Sequence, residues 1–130
     1  GTPSSPEDLV NHKCLAYNLL HDARSWPFTD ENQQVFNASI DPKFKSSAGG
    51  SLRDAAIDGL GITYLPTFMV YQHITQQQLI PILQNYNTWQ SNAYAIYPQT
   101  RHLSQRVRSF VDFLQPRYSG TPDWDLCLRS

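Results

Sequence analysis

The chain has 130 residues, the length of one domain, and a formal net charge of -1 from 10 basic and 11 acidic side chains. This balance argues against nucleic-acid binding by the chain itself, because contacts with phosphates require a basic surface. Hydrophobic residues make up 40% of the sequence and predict a packed core, and no apolar run approaches the roughly 20 residues of a membrane-spanning helix.

The first part of the sequence predicts one short helix followed by strands. Pro6 suits the first position of a helix and Ser5 can cap it. Polar and apolar residues roughly alternate on both sides of the acidic turn at residues 30–32, a pattern typical of two antiparallel strands. The predicted elements are a helix at residues 6–11 and strands at residues 14–17, 26–28, 35–40 and 43–47.

Residues 51–68 carry the clearest pattern in the chain. Small apolar residues recur at the spacing of one helical face, and Ser51 with Asp54 forms a capping-box pattern at its start. The residues of this face are Leu52, Ala55, Ala56, Gly59 and Leu60. The pattern predicts a helix that can approach closely whatever it covers.

The glycines after this helix predict a turn into a strand. Gly59 and Gly61 are expected to supply left-handed backbone, residues 62–65 a buried strand that Pro66 ends, and Thr67 the cap of a second helix. Helix, turn, strand and helix in this order predict half of an α/β sheet unit.

The remaining sequence predicts two strands, a helix and a tail. Residues 79–83 read as an edge strand, residues 85–92 as a loop and residues 93–97 as a strand. The predicted helix covers residues 102–115 and ends at Pro116. Trp124 and Leu126 in the tail either dock on the body of the domain or remain undocked.

No combination of residues in the sequence predicts an enzyme, a metal site or a cofactor. The four histidines stand apart, and no nucleophile elbow, phosphate loop or dinucleotide loop is present. Cys14 and Cys127 lie too far apart for a CxxC motif. Two free thiols are the simpler expectation, and a disulfide between them stays open.

The sequence instead indicates ligand binding. A small polar loop at residues 46–50 precedes the central helix, and both helices, at Ser51 and Thr67, begin where strands end. Ligands bind at the carboxyl ends of strands in open α/β sheets, and helix N-termini favour a carboxylate or another small anion. A plain flexible loop without a ligand is the alternative.

Three stretches of the chain resemble the C-terminal part of a LysR-type transcriptional regulator. They read D-A-A-I-D-G-L-G-I-T-Y-L-P-T-F, L-I-P-I-L and Y-A-I-Y-P-Q-T-R-H-L-S-Q-R-V-R-S-F-V-D-F-L. The resemblance extends over residues 3–114. It implies an α/β fold, namely the second lobe of a domain like a type 2 periplasmic binding protein, with a mixed sheet flanked by helices.

The resemblance also implies how the chain divides. Residues 1–93 would form the second lobe, residues 94–115 the strand and helix that return to the first lobe, and residues 116–130 a C-terminal tail. The helix-turn-helix and most of the first lobe would belong to a longer parent protein in the bacterial cytoplasm. DNA is therefore an expected partner of the parent protein only, and no membrane partner is expected.

Members of this family bind a small effector between the lobes. Carried over to this sequence, the effector-binding residues are Ser46, Ser47 and Ala48, then Leu65, Pro66 and Thr67. With half of the cleft absent, we expect weak or no binding by this chain alone. The resemblance further implies a homo-oligomer, a tetramer for the parent. For this piece, the unpaired strand edge at residues 94–97 and the apolar stripe of the following helix predict association as a dimer or by exchange of the C-terminal segment.

Two other functions remain open at this point. One is a solute-binding domain of a transport system, which a signal peptide on the parent would favour. The other is an oligomerisation module without a ligand, which a pocket that stays empty across many metabolites would favour.

Overall fold

The computed structural model describes residues 1–18, 23–30, 32–88, 94–97 and 104–128. The strands are β1 Cys14–Tyr17, β2 Ser25–Thr29, β3 Val35–Ser39, β4 Pro42–Ser46, β5 Ile62–Thr63 and β6 Asn87–Thr88. The helices are α1 Gly49–Ile57, α2 Thr67–Thr75 and α3 Gln105–Tyr118, with two 3-10 helices at Pro6–Asn11 and Asp123–Leu128. Within these residues, no helix has the length and apolar character that crossing a bilayer requires.

A parallel sheet of order β4-β1-β5 forms the half of the fold that carries both helices of the central segment. In its register Tyr17 lies beside Ser46, and Leu15 lies between Phe44 and Thr63. Three consecutive residues of β1 are buried, which is typical of a parallel strand covered on both faces. The predicted strand at residues 14–17 is confirmed.

A second, antiparallel sheet has the order β3-β2-β6. The carboxylate of Asp30 accepts hydrogen bonds from the backbone N–H groups of Asn32 and Gln34, at 2.8 and 2.9 Å, and so shapes the turn between β2 and β3. The predicted hairpin and the α/β fold class are confirmed, with the parallel and antiparallel strands in separate three-stranded sheets.

Aromatic side chains join the two sheets. Trp26 and Phe28 of β2 are 3% and 4% exposed, and both pack against the ring of Tyr64, with centroids 5.6 and 6.0 Å apart. The Tyr64 hydroxyl donates to the carbonyl oxygen of Pro27 at 3.2 Å. Because Tyr64 directly follows β5, this cluster fixes the segment that leads into α2.

Cys14 lies in the same core and Cys127 in the tail, and neither forms a disulfide. The Cys14 side chain is fully buried, and burial raises the pKa of its thiol to about 11. Cys127 donates its S–H to the carbonyl oxygen of Trp124 at 3.2 Å.

The two glycines after α1 have different functions. Gly59 has a φ of +76°, which confirms the predicted left-handed turn. The same prediction for Gly61 is wrong, because Gly61 is not among the residues with positive φ. Gly61 instead allows a close approach: a Cβ there would lie 2.3 Å from the carbonyl oxygen of Lys13.

The helix starts also differ from prediction. The cap of α1 is Ala48 and not Ser51, because the Ser46 hydroxyl accepts a hydrogen bond from the Ala48 N–H and turns the chain earlier. Asp54 pairs with Arg53 at 2.7 Å instead of capping. Pro66 is the cap of α2, so that Thr67 becomes its first residue and not its cap.

Part of the small-residue face predicted for α1 is buried. Leu52 is fully buried and Ala55 and Ala56 are half-buried, whereas Gly59 and Leu60 are exposed beyond the end of the helix. This face covers β1 and the neighbouring strands, since α1 packs against β1, β4 and β5.

Two predicted strands are wrong within the described residues. Residues 79–83 form an irregular segment, since Pro81 lacks an N–H for a sheet and Leu83 has a φ of +54°. The sheet is extended instead by β6, inside the predicted loop. Residues 94–97 have no described strand beside them and are exposed, with Ile96 94% accessible.

Helix α3 confirms the predicted helix but not its end. Its cap is Ser104, whose hydroxyl accepts from the Val107 N–H at 3.4 Å, and its predicted start at residues 102–103 lies outside the described residues. Pro116 lies within the last turn, where only one hydrogen bond is lost, and the helix continues to Tyr118. None of its described residues is buried.

Candidate ligand-binding site

The topology brings both predicted ligand segments to one edge of the parallel sheet. Ser46 ends β4 and Thr63 ends β5, and both strands run parallel to β1 between them. The chain therefore leaves both strands at the same edge and enters α1 and α2 there. This is the edge at which open α/β sheets bind ligands.

The first segment, Ser46 to Ala48, is a tight turn at the start of α1. The carbonyl oxygen of Ser46 accepts from the Asn18 N–H at 3.0 Å, and its hydroxyl oxygen accepts from the Ala48 N–H at 3.0 Å. Ser46 is half-buried, whereas Ser47 and Ala48 are exposed. The turn thus presents two small side chains at the N-terminus of a helix.

The second segment, Leu65 to Thr67, is the start of α2. Pro66 holds an extended conformation, with φ -59° and ψ 141°, and its carbonyl oxygen accepts from the Met69 N–H at 3.0 Å. The N–H groups of Thr67 and Phe68 lie in the first turn, where no acceptor exists within the helix. Leu65 and Thr67 are half-buried, and Pro66 is exposed.

Gly49, the first residue of α1, lies against the start of α2. A methyl group there would lie 3.6 Å from Leu65 Cδ2, an ordinary contact, and 2.5 Å from Met69 Cε, the flexible end of a side chain. We call the two helix starts, at residues 46–48 and 65–67, the double N-terminus.

The chemistry of the double N-terminus suits an anion. The first turns of two helices leave N–H groups without intrahelical partners, and both helix dipoles have their positive ends there. A groove of about 290 Å³ is lined by Arg53 of α1 and by Phe68 and Gln72 of α2, among others, but by none of the six predicted residues. Within the described part of the chain, no three side chains come together as a metal site.

The structure also places part of the tail at this site. The Thr67 hydroxyl donates to the carboxylate of Asp125 at 2.5 Å, and the ring of Phe68 meets that of Trp124 edge-on at 6.4 Å. The tail thus docks, one of the two options left open by the sequence. Asp125 was not recognised as a residue of the site, because nothing in the sequence relates it to Thr67, 58 positions away.

Comparisons with known proteins agree with this fold. The family model for the LysR substrate binding domain matches residues 1–119. The HTH-type transcriptional regulator CrgA of Neisseria meningitidis is 32% identical over 115 residues, which cover 88% of this chain and 38% of that protein. PtxR of Pseudomonas aeruginosa, also an HTH-type transcriptional regulator, is 26% identical over 90% of this chain and 37% of its own length.

Solved structures of regulatory domains show the same fold. The regulatory domain of CrgA superposes with a TM-score of 0.65 at 30% identity, covering 88% of this chain and 55% of that one. The regulatory domain of AphB from Vibrio vulnificus gives a TM-score of 0.67 at 25% identity, covering 87% and 56%. The chain thus spans less than two-fifths of either curated relative, and it belongs to the LysR substrate-binding domain family.

Proposed function

We propose that the chain is the effector-sensing second lobe of a transcriptional regulator. Residues 1–93 form this lobe, residues 94–115 return towards a first lobe, and residues 116–130 are the tail. Two findings support this division: the chain covers 55% and 56% of two regulatory domains, and α3 has no buried residue. A helix with no buried residue has the surface expected of an element that packs on another lobe.

The observation that carries the proposal is that both predicted segments follow strands at one edge of the parallel sheet. Ser46, Ser47 and Ala48 at one helix start, and Leu65, Pro66 and Thr67 at the other, form one wall of a cleft between lobes. The ligand is a small anion, since two helix N-termini with free N–H groups favour negative charge.

Regulation follows from ligand binding between lobes. A ligand that contacts both lobes binds the closed arrangement more tightly and shifts the population towards it. DNA contacts are made by a helix-turn-helix in another part of the regulator, which acts as a homo-oligomer in the bacterial cytoplasm. The relatives CrgA and PtxR, both HTH-type regulators, support this assignment over a transport protein.

A substitution at Ala48 is expected to raise the stability of the fold while it lowers the affinity for an anionic ligand. Ala48 is exposed, and its φ of -104° and ψ of 108° are those of an N-cap. We expect Ala48→Asp to raise the free energy of unfolding by about 0.5–1 kcal/mol, because a carboxylate is a good cap. The introduced side chain also accepts hydrogen bonds from the first-turn N–H groups and repels an anion. The affinity for carboxylate ligands should therefore fall at least tenfold.

Ala48→Asn is the matched control, since asparagine caps equally well without a charge. Affinities are measured by calorimetry with a panel of organic acids on the two-lobed domain, and stability by urea unfolding. A smaller loss of affinity in Ala48→Asn than in Ala48→Asp assigns the effect to charge. Unchanged carboxylate affinity in Ala48→Asp would place the ligand elsewhere.

A further inference from the structure

The tail returns to the double N-terminus through a defined turn. After α3 ends at Tyr118, Gly120 takes a φ of +86°, and the Asp125 N–H donates to the Pro122 carbonyl oxygen at 3.0 Å. The 3-10 helix Asp123–Leu128 then packs along α2. We call this helix the tail helix.

Consecutive tail residues contact consecutive residues of α2. The Trp124 ring lies between those of Phe68 and Tyr118, with centroids 6.4 and 6.0 Å away. Asp125, next along the tail, accepts the hydrogen bond from Thr67, next to Phe68. The contact therefore has a fixed register, which a tail lying at random on the surface would not have.

The hydrogen bond from Thr67 shows that a carboxylate fits at the start of α2. A threonine hydroxyl has a single proton to donate, and here the acceptor is a carboxylate. The same carboxylate lies at the positive end of the α2 dipole. A ligand carboxylate at this position would need the same proton, so the tail and such a ligand exclude each other.

The contact between the tail helix and α2 leaves part of both elements open to solvent. Tyr71, Ile74 and Thr75 of α2 line an open groove of about 570 Å³ together with residues of the tail helix. Leu126 is 53% exposed, although it is an apolar residue of the tail helix. Segments with few buried contacts open at low cost in free energy.

We propose that Asp125 is a built-in competitor for the effector: its carboxylate occupies the position of an effector carboxylate at Thr67, and the tail must undock before the effector binds. This inference rests on the proposed function and narrows it. It specifies that the effector carries a carboxylate, and that docking of the tail lowers the apparent affinity for the effector. If the tail is docked nine-tenths of the time, the apparent affinity is about tenfold weaker than the intrinsic one.

Acetate is the probe that tests this competition, because it is the free counterpart of the Asp125 side chain. The ¹⁵N-labelled two-lobed domain is titrated with sodium acetate and, in a parallel experiment, with sodium chloride at equal ionic strength. The indole N–H resonance of Trp124 reports docking, and the amide resonances of residues 46–50 report binding. The variants are Asp125→Asn and, as the matched control in the same tail helix, the exposed Asp123→Asn.

We expect Asp125→Asn to release Trp124 and to tighten acetate binding about tenfold, with both properties unchanged in Asp123→Asn. If Trp124 is released and the acetate affinity is the same as in the wild type, the competition is refuted and the ligand site stands. If Trp124 stays docked in Asp125→Asn, the carboxylate does not hold the tail, and the inference is refuted. If acetate produces no shift at residues 46–50 in any variant, the competition and the proposed ligand site both fail.

Discussion

Gly61→Ala is expected to lower the free energy of unfolding by about 3 kcal/mol or more, because the added methyl group cannot be accommodated. Its carbon would lie 2.3 Å from the carbonyl oxygen of Lys13, far inside contact distance. That oxygen cannot move away, since it accepts the Ile62 N–H at 2.8 Å and begins the pairing of β1 with β5. A decrease of this size is a large part of the free energy of unfolding of a small domain.

Gly59→Ala is the matched control for this substitution. A methyl group at Gly59 meets no atom within 4 Å, so only the left-handed φ of +76° opposes it. We expect a cost of about 1 kcal/mol, the penalty for alanine in this conformation. The free energy of unfolding of both variants is measured in urea. Equal decreases in the two variants would mean that β1 and β5 do not approach as closely as described.

Leu52→Ala is expected to cost about 3–4 kcal/mol, within the range for truncating a buried leucine. The side chain is fully buried where α1 packs on β1. Its loss should also loosen the start of α1, and with it the turn at Ser46 to Ala48. The loss of stability should therefore be accompanied by faster amide exchange at residues 47–50.

Leu60→Ala removes the same atoms from a side chain that is 53% exposed, only eight positions further along. We expect it to cost less than about 1 kcal/mol, since little apolar surface is returned to water. The comparison is made by thermal and urea unfolding in the same buffer. Similar losses in the two variants would contradict the burial of α1 on the sheet.

Local pattern predicted the elements whose form depends on their own residues. The apolar run at residues 14–17 became β1 with the predicted bounds, and the hairpin around the acidic turn formed because Asp30 shapes that turn itself. The predicted start of α1 was wrong because the chain turns at Ser46, whose hydroxyl accepts the Ala48 N–H, and the helix begins without a side-chain cap. A serine with a capping-box pattern is therefore a poor guide where a turn before it already starts the helix.

Elements that depend on distant partners were not predictable in the same way. Residues 79–83 have strand composition, but the sheet took Asn87 and Thr88, which pair with β2. The composition of a segment does not determine whether a neighbouring strand is available for hydrogen bonding, and a segment joins a sheet only where such a neighbour lies beside it. Gly61 could not be explained from the sequence for the same reason. It is needed because the Lys13 backbone lies close to it in the folded chain, and the sequence does not show that contact.

The six candidate residues were predicted from the resemblance to a family, and the structure adds that their two segments follow strands at one edge of the parallel sheet. The resemblance gave two separate segments of the sequence, without the contact of Leu65 and Met69 with Gly49. The contact of Asp125 with Thr67 came from the structure alone, because a carboxylate in the tail has no local signature that relates it to a distant helix start.

The most direct test of the account is a map of where an anion binds. The ¹⁵N-labelled two-lobed domain is titrated with benzoate, a larger carboxylate, and amide shift changes are followed to saturation. We expect saturable changes concentrated at residues 46–50 and 65–69, with the hairpin of β2 and β3 unaffected. Changes centred on that hairpin or on α3, with none at the double N-terminus, would contradict the account.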